Sequence, residues 1–176
     1  MADLSLVLGG ARSGKSRYAE SRLARHRGQR IYLATAEPGD AEMAARIAAH
    51  RRRRGTEWRT VEEPLELAAT LALSSAPRTA ILVDCLTLWL ANLMGAKRDL
   101  AAETSRLLEV LGGLDGTVVL VANEVGLGIV PDNAEARRFR DAAGILHQDI
   151  AKIADEVVLV AAGIPLTLKT RKREKS

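Results

Sequence analysis

Eight consecutive residues, Gly9-Gly10-Ala11-Arg12-Ser13-Gly14-Lys15-Ser16, fit the pattern G-x-x-x-x-G-K-[ST] without mismatch. An apolar run, Leu4–Leu8, precedes them and a helical pattern follows. In that setting the chemistry is phosphate binding. Glycines let successive backbone N–H groups turn toward phosphate oxygens, and the following helix offers its positive end. Lys15 can reach the β and γ phosphates, and Ser16 can ligate Mg²⁺. A chance glycine-rich turn is the plainer reading, and the strand and helix around the motif weigh against it. Asp84 closes the run Ala80-Ile81-Leu82-Val83-Asp84. A carboxylate at the end of a buried strand suits the second Mg²⁺ partner of a phosphate-loop protein, or else caps the helix that starts at Leu86.

A second stretch pairs a histidine with cations. In Glu42–Arg54, helical spacing puts Met43, Ile47 and His50 on one face, and Arg51, Arg52, Arg53 and Arg54 follow. The plain reading is a histidine on a core-facing stripe with a solvated basic helix end. The chemical reading is a neutral imidazole able to attack phosphorus beside guanidiniums that offset phosphate charge. A guanine-reading N-K-x-D motif is missing where a late strand would place it. That position reads Asn123-Glu124-Val125-Gly126, which excludes the usual signalling GTPase.

These residues need elements to hold them. Apolar runs without strict alternation occur at Leu4–Leu8, Ile31–Thr35, Thr79–Asp84, Thr117–Ala122 and Val157–Ala161, with a shorter one at Trp58–Val61. Strands buried on both faces of a parallel sheet read this way. Helical patterns lie between them: Ser16–Arg27 before Gly28, Asp40–Arg54 before Gly55, Pro64–Leu73 with proline near its start, the nearly all-apolar Leu86–Met94, Asp99–Leu111 and Ala134–Ala154. Alternating β and α units predict an α/β fold, a mostly parallel sheet covered by helices.

The chain has 176 residues with 26 Lys+Arg against 22 Asp+Glu, a formal net charge of +4. Five of those bases and one acid lie in residues 169–176, so the first 168 residues are formally neutral. The length predicts one catalytic domain over residues 1–168 and a basic solvated tail over 169–176. Sparse aromatics (Tyr18, Tyr32, Trp58, Trp89 and Phe139) argue against a stacking platform for nucleic acid. The single cysteine, Cys85, suits a reducing cytoplasm. No stretch is apolar for the length of a membrane span, and the first residues lack a signal-peptide pattern.

Taken in order, the motifs resemble one family. They are Gly9–Ser16, Glu42–Ile47 with His50-Arg51, Asp84–Thr87, Asn123–Gly126 followed by Gly128–Pro131, and Arg138–Gly144. Together they resemble the bifunctional adenosylcobinamide kinase/adenosylcobinamide-phosphate guanylyltransferases of cobalamin biosynthesis, over about residues 4–168. The resemblance implies phosphorylation of the aminopropanol hydroxyl of adenosylcobinamide by a nucleoside triphosphate, ATP or GTP. Transfer of GMP from GTP to that phosphate then gives adenosylcobinamide-GDP and pyrophosphate. It implies a guanylyl-histidine at His50, nucleotide contacts from Gly9–Ser16, Ala34, Thr35, Ala36, Arg51–Arg54, Glu62 and Asp84, and Mg²⁺ at Ser16 and Asp84. Glu62 by itself reads as an exposed loop acid before Pro64. A RecA-like three-layer fold, a homotrimer and a cytoplasmic enzyme that binds no nucleic acid are also implied. A phosphate loop engages β and γ phosphates whereas His50 must reach the α-phosphorus, and movement of the His50 helix on a hinge at Glu37–Asp40 is one way to join the two. The alternatives are a monofunctional phosphate-loop kinase for another small metabolite, and a nucleotide switch or RNA-binding module using the arginine run and the tail.

Overall fold

A computed structural model describes residues 2–36 and 57–170. The expected helix Asp40–Arg54 with His50 and Arg51–Arg54, the Glu37–Asp40 hinge, and residues 171–176 of the tail lie outside the described residues.

Seven strands form one sheet. In chain order they are β1 (Asp3–Gly9), β2 (Gln29–Ala34), β3 (Arg59–Glu62), β4 (Thr79–Asp84), β5 (Thr117–Asn123), β6 (Glu156–Ala161) and β7 (Ile164–Thr170). Their spatial order is β3-β2-β4-β5-β1-β6-β7, parallel throughout except for the antiparallel pair β6–β7. The described helices are α1 (Lys15–Leu23), α2 (Leu67–Ser74), α3 (Leu86–Gly95), α4 (Leu100–Gly113) and α5 (Ala134–Ile153).

Alternation along each strand divides the core into two layers. Leu4, Leu6, Leu8, Ile81, Val83, Val118 and Leu120 face one side, where α2 to α5 bring Leu67, Trp89, Leu107 and Ile150. Val7, Leu82, Val119, Val121 and Val158 face the other, against Ala19 and Leu23 of α1. Both faces of the central strands are therefore dry, which explains their unbroken apolar runs. The α/β three-layer expectation holds.

Boundaries differ for local reasons. α1 stops at Leu23, four residues short of the expected end, and tightens into turns in which the N–H of Ala24 bonds Ser21 O and that of His26 bonds Leu23 O. Gly28 is therefore not the glycine that closes the helix. A Cβ there would lie 1.8 Å from Arg78 O, so glycine lets two backbones pass. α2 begins at Leu67 rather than at Pro64, because the Glu63 carboxylate accepts the N–H groups of Leu65 and Glu66 and holds them in a turn. Asp99 and Asn133 are N-caps, each accepting backbone N–H groups of the helix that follows.

β7 was not expected. Ala162 (φ 51) and Gly163 (φ 79) make a two-residue hairpin turn of the type that matches strand twist. β7 runs to Thr170, two residues into the expected tail. Lys169 is not solvated there: its Nζ donates to Ala151 O at 2.7 Å and Lys152 O at 3.0 Å, satisfying carbonyls at the end of α5.

Candidate functional site

The carboxyl ends of five parallel strands share one edge of the sheet. Gly9 pairs with Asn123, Asp84 lies opposite Val121 two positions before it, and Ala34 pairs with both Asp84 and Glu62. The phosphate loop, Asp84, Ala34 and Glu62 thus line one edge, where α/β sheets form their binding crevices. At a strand spacing of roughly 4.8 Å, Asp84 lies about 10 Å along the sheet from the end of β1, and Glu62 about 19 Å.

The loop is built by its glycines and by left-handed backbone. Arg12 has φ 55 and Gly14 φ 96, which turns successive N–H groups into a concavity. A Cβ on Gly9 would come within 2.6 Å of Val160 O and nearer still to Ser13 Oγ, so only glycine admits Ser13 beneath the strand end. Gly14 lies against the hairpin turn: its Cβ would be 3.2 Å from the Cα of Gly163, and the Gly163 N–H donates to Ser13 O at 2.8 Å. Gly163 is therefore a supporting residue of the loop. Its signal in the sequence was Ala162-Gly163 between two apolar runs, a hairpin pattern partly hidden by Pro165.

Lys15 is buried and its Nζ donates to Gly10 O at 3.1 Å across the loop. Its charge also reaches the Cys85 thiol at the end of β4. Ser16 lies in the first turn of α1, a turn without acidic residues, so the positive helix end is left for an anion. Ser13 Oγ is buried without a hydrogen-bond partner among the described residues. A buried hydroxyl left unpaired is uncommon and calls for a partner.

At the end of β4, the Tyr32 hydroxyl donates to Asp84 Oδ2 at 2.7 Å. The next peptide bond, Asp84–Cys85, is cis. Burial, with the Asp84 charge adding to it, pushes the Cys85 thiol up to about 11, so it stays protonated at neutral pH. Thr35 is wholly buried: its Oγ1 donates to Cys85 O at 2.7 Å and accepts the Cys85 N–H at 2.9 Å. Its N–H bonds Asp84 O, and its carbonyl accepts Asn92 Nδ2 at 2.7 Å. Thr35 thus clamps the Asp84 turn, while Ala36 is half-buried and Glu62 exposed along the same edge. Thr87 was missed as a site residue. Its Oγ1 accepts the N–H of Asn123 at 2.6 Å and ties the end of β5 to α3.

The structure therefore brings together Gly9–Ser16, Ala34–Ala36, Glu62 and Asp84 on one edge. This edge carries the glycine-rich loop at β1, the Asp84 carboxylate two strands away at β4, and Ala34 and Glu62 at β2 and β3.

A family model described as cobinamide kinase / cobinamide phosphate guanyltransferase matches residues 5–168. The chain belongs to that family. Membership makes it a bifunctional enzyme of cobalamin biosynthesis, with kinase and guanylyltransferase activities. The bifunctional adenosylcobalamin biosynthesis protein CobP of Pseudomonas aeruginosa is 53% identical over 167 residues, covering 93% of this chain and 96% of that one. The corresponding CobU proteins of Salmonella typhimurium and Escherichia coli are 42% and 41% identical, each over 93% of this chain and 98% of theirs. Among solved structures, an ATPase of a type III secretion system aligns with a TM-score of 0.57 at 10% identity, over 94% of this chain and 56% of that one. A Pyrococcus horikoshii protein aligns with a TM-score of 0.60 at 7% identity, over 98% of this chain and 88% of that one. These two likenesses concern the fold alone.

Proposed function

We propose that the chain phosphorylates the aminopropanol hydroxyl of adenosylcobinamide with ATP or GTP. It then passes GMP from GTP to the phosphate through a guanylyl-histidine at His50, releasing pyrophosphate. The carrying observation is the family match over residues 5–168, set on a sheet edge that carries both a complete phosphate loop and Asp84.

In phosphoryl transfer, the N–H groups of Gly9–Ser16 and Lys15 hold the β and γ phosphates, and catalysis is mostly positioning and charge compensation. The end of β4 supplies Asp84, fixed by Tyr32, and Ser16 supplies a hydroxyl. These hard oxygen donors fit Mg²⁺, and Ser16 and Asp84 would hold it. When bound, Mg²⁺ offsets phosphate charge. The base and ribose of the nucleotide extend toward Ala34–Ala36 and Glu62.

In guanylyl transfer, a His50 nitrogen attacks the α-phosphorus of GTP and pyrophosphate leaves, with Arg51–Arg54 beside it as charge partners. The acceptor phosphate then attacks the same phosphorus and the imidazole leaves. Movement of the Glu37–Asp40 hinge would let one nucleotide site serve both steps. GTP labelled at the α-phosphate should leave a base-stable, acid-labile label on the protein and none on His50→Ala. Equal labelling of the variant would remove His50 from the mechanism.

The chain acts as a cytoplasmic homotrimer. The support lies at the β7 edge, where Ile164 (70% exposed), Leu166 and Leu168 leave an apolar face open, and at the loop tip with Leu127 and Ile129 (98% exposed). Among the described residues no helix is long and apolar enough to cross a membrane. Light scattering should give three times the chain mass, and a monomer at micromolar concentration would contradict the trimer.

A further inference from the structure

We infer that Glu124 is the base that takes the proton of the acceptor hydroxyl in phosphoryl transfer. The inference rests on the reading above and adds a residue role to it.

Glu124 is the first residue beyond β5, the strand that lies between β1 with the phosphate loop and β4 with Asp84. Its N–H donates to Gly9 O at 3.0 Å, which fixes its backbone to the first residue of the loop. Its carboxylate is half-buried, has no ion-pair partner among the described residues, and accepts the N–H of Gly126. A Cβ on Gly126 would lie 3.0 Å from Glu124 Oε1, so glycine leaves the carboxylate its place. An acid pinned beside the phosphate loop, with no ion-pair partner among the described residues, is available to receive a proton.

His147 on α5 is the second observation. It is 7% exposed, and its Nε2 is buried without a hydrogen-bond partner among the described residues. It shares the inner face of α5 with Ala143, Leu146 and Ile150, where an apolar side chain would pack without an unpaired nitrogen. Burial holds the imidazole neutral, and the charge it feels is that of Glu124. A neutral imidazole does not pair off the Glu124 charge.

The two reactions differ in their need for a base. In phosphorylation the acceptor oxygen forms a bond to the γ-phosphorus. The bond from that phosphorus to the β–γ bridging oxygen breaks, and its electron pair leaves with the nucleoside diphosphate. The hydroxyl proton passes to the Glu124 carboxylate and then to water. In guanylyl transfer the acceptor is a phosphate monoester, largely dianionic at neutral pH, with no proton to lose. Glu124 thus belongs to the first reaction only.

The test uses the full chain with adenosylcobinamide, chemically prepared adenosylcobinamide phosphate, and GTP. Glu124→Gln should lower the phosphorylation kcat by about 100-fold or more, with the KM for nucleotide within about threefold. GMP transfer to the prepared phosphate, and α-label on the protein, should persist and show that the variant is folded. Full phosphorylation by Glu124→Gln, or loss of both reactions together, would overturn the assignment to Glu124. If the unsubstituted chain performed neither reaction, the family reading itself would fail, and the role of Glu124 with it.

Discussion

His147 is held neutral by burial, with Glu124 only partly offsetting that effect. A histidine whose folded pKa lies below its unfolded value of about 6.5 takes up a proton more readily once the chain opens. Its contribution to stability is complete above about pH 6.5 and is lost as the pH falls toward the folded pKa. Urea denaturation between pH 7.5 and 5 should therefore show a steeper acid loss for the native chain than for His147→Leu. The difference in slope is at most about 1.4 kcal/mol per pH unit. Parallel curves would contradict this account of His147. At the same scale Thr35 shows how a residue in the site serves it indirectly. Every polar group it owns is engaged with Asp84, Cys85 or Asn92, so its effect on a ligand passes through the Asp84 turn.

At the scale of elements, the strands of the central sheet were legible because burial on both faces writes itself as plain apolar runs. The phosphate loop was legible because its spacing is its mechanism. Asp84 could be placed because it terminates one of those runs. The turn after β6 was not, because Pro165 interrupts the pattern of β7 and because Gly163 matters through contact with Gly14, some 150 positions away in sequence. Gly28 was legible as a glycine at a boundary and misread in its purpose. A helix-closing glycine and a close crossing of backbones look alike in one dimension, and only the approach of Arg78 distinguishes them. Gly28→Ala should therefore cost about 1–3 kcal/mol, as overpacking does, read as a lowered denaturant midpoint at unchanged m. A loss of a few tenths would restore the helix-end reading. Glu124 and His147 lie 23 positions apart, one just past β5 and the other on α5, and no local pattern linked them.

For the whole molecule, the net charge of +4 pointed weakly toward polyanions, and its distribution points elsewhere. The body of the chain is formally neutral, and the cation that counts at the cradle, Lys15, is buried among loop backbone. Lys169, one of the expected tail charges, is spent on the carbonyl end of α5. The sheet edge from Gly9 to Glu62 is one continuous surface, and the central claim is that this single edge serves both reactions. The direct measurement supplies the purified chain and Lys15→Ala with adenosylcobinamide, GTP and Mg²⁺, and follows products by mass spectrometry. The native chain should form cobinamide phosphate and then its GDP derivative, and Lys15→Ala should form neither beyond about 1% of the native rate. Continued formation of either product by Lys15→Ala at a comparable rate would contradict a shared phosphate loop.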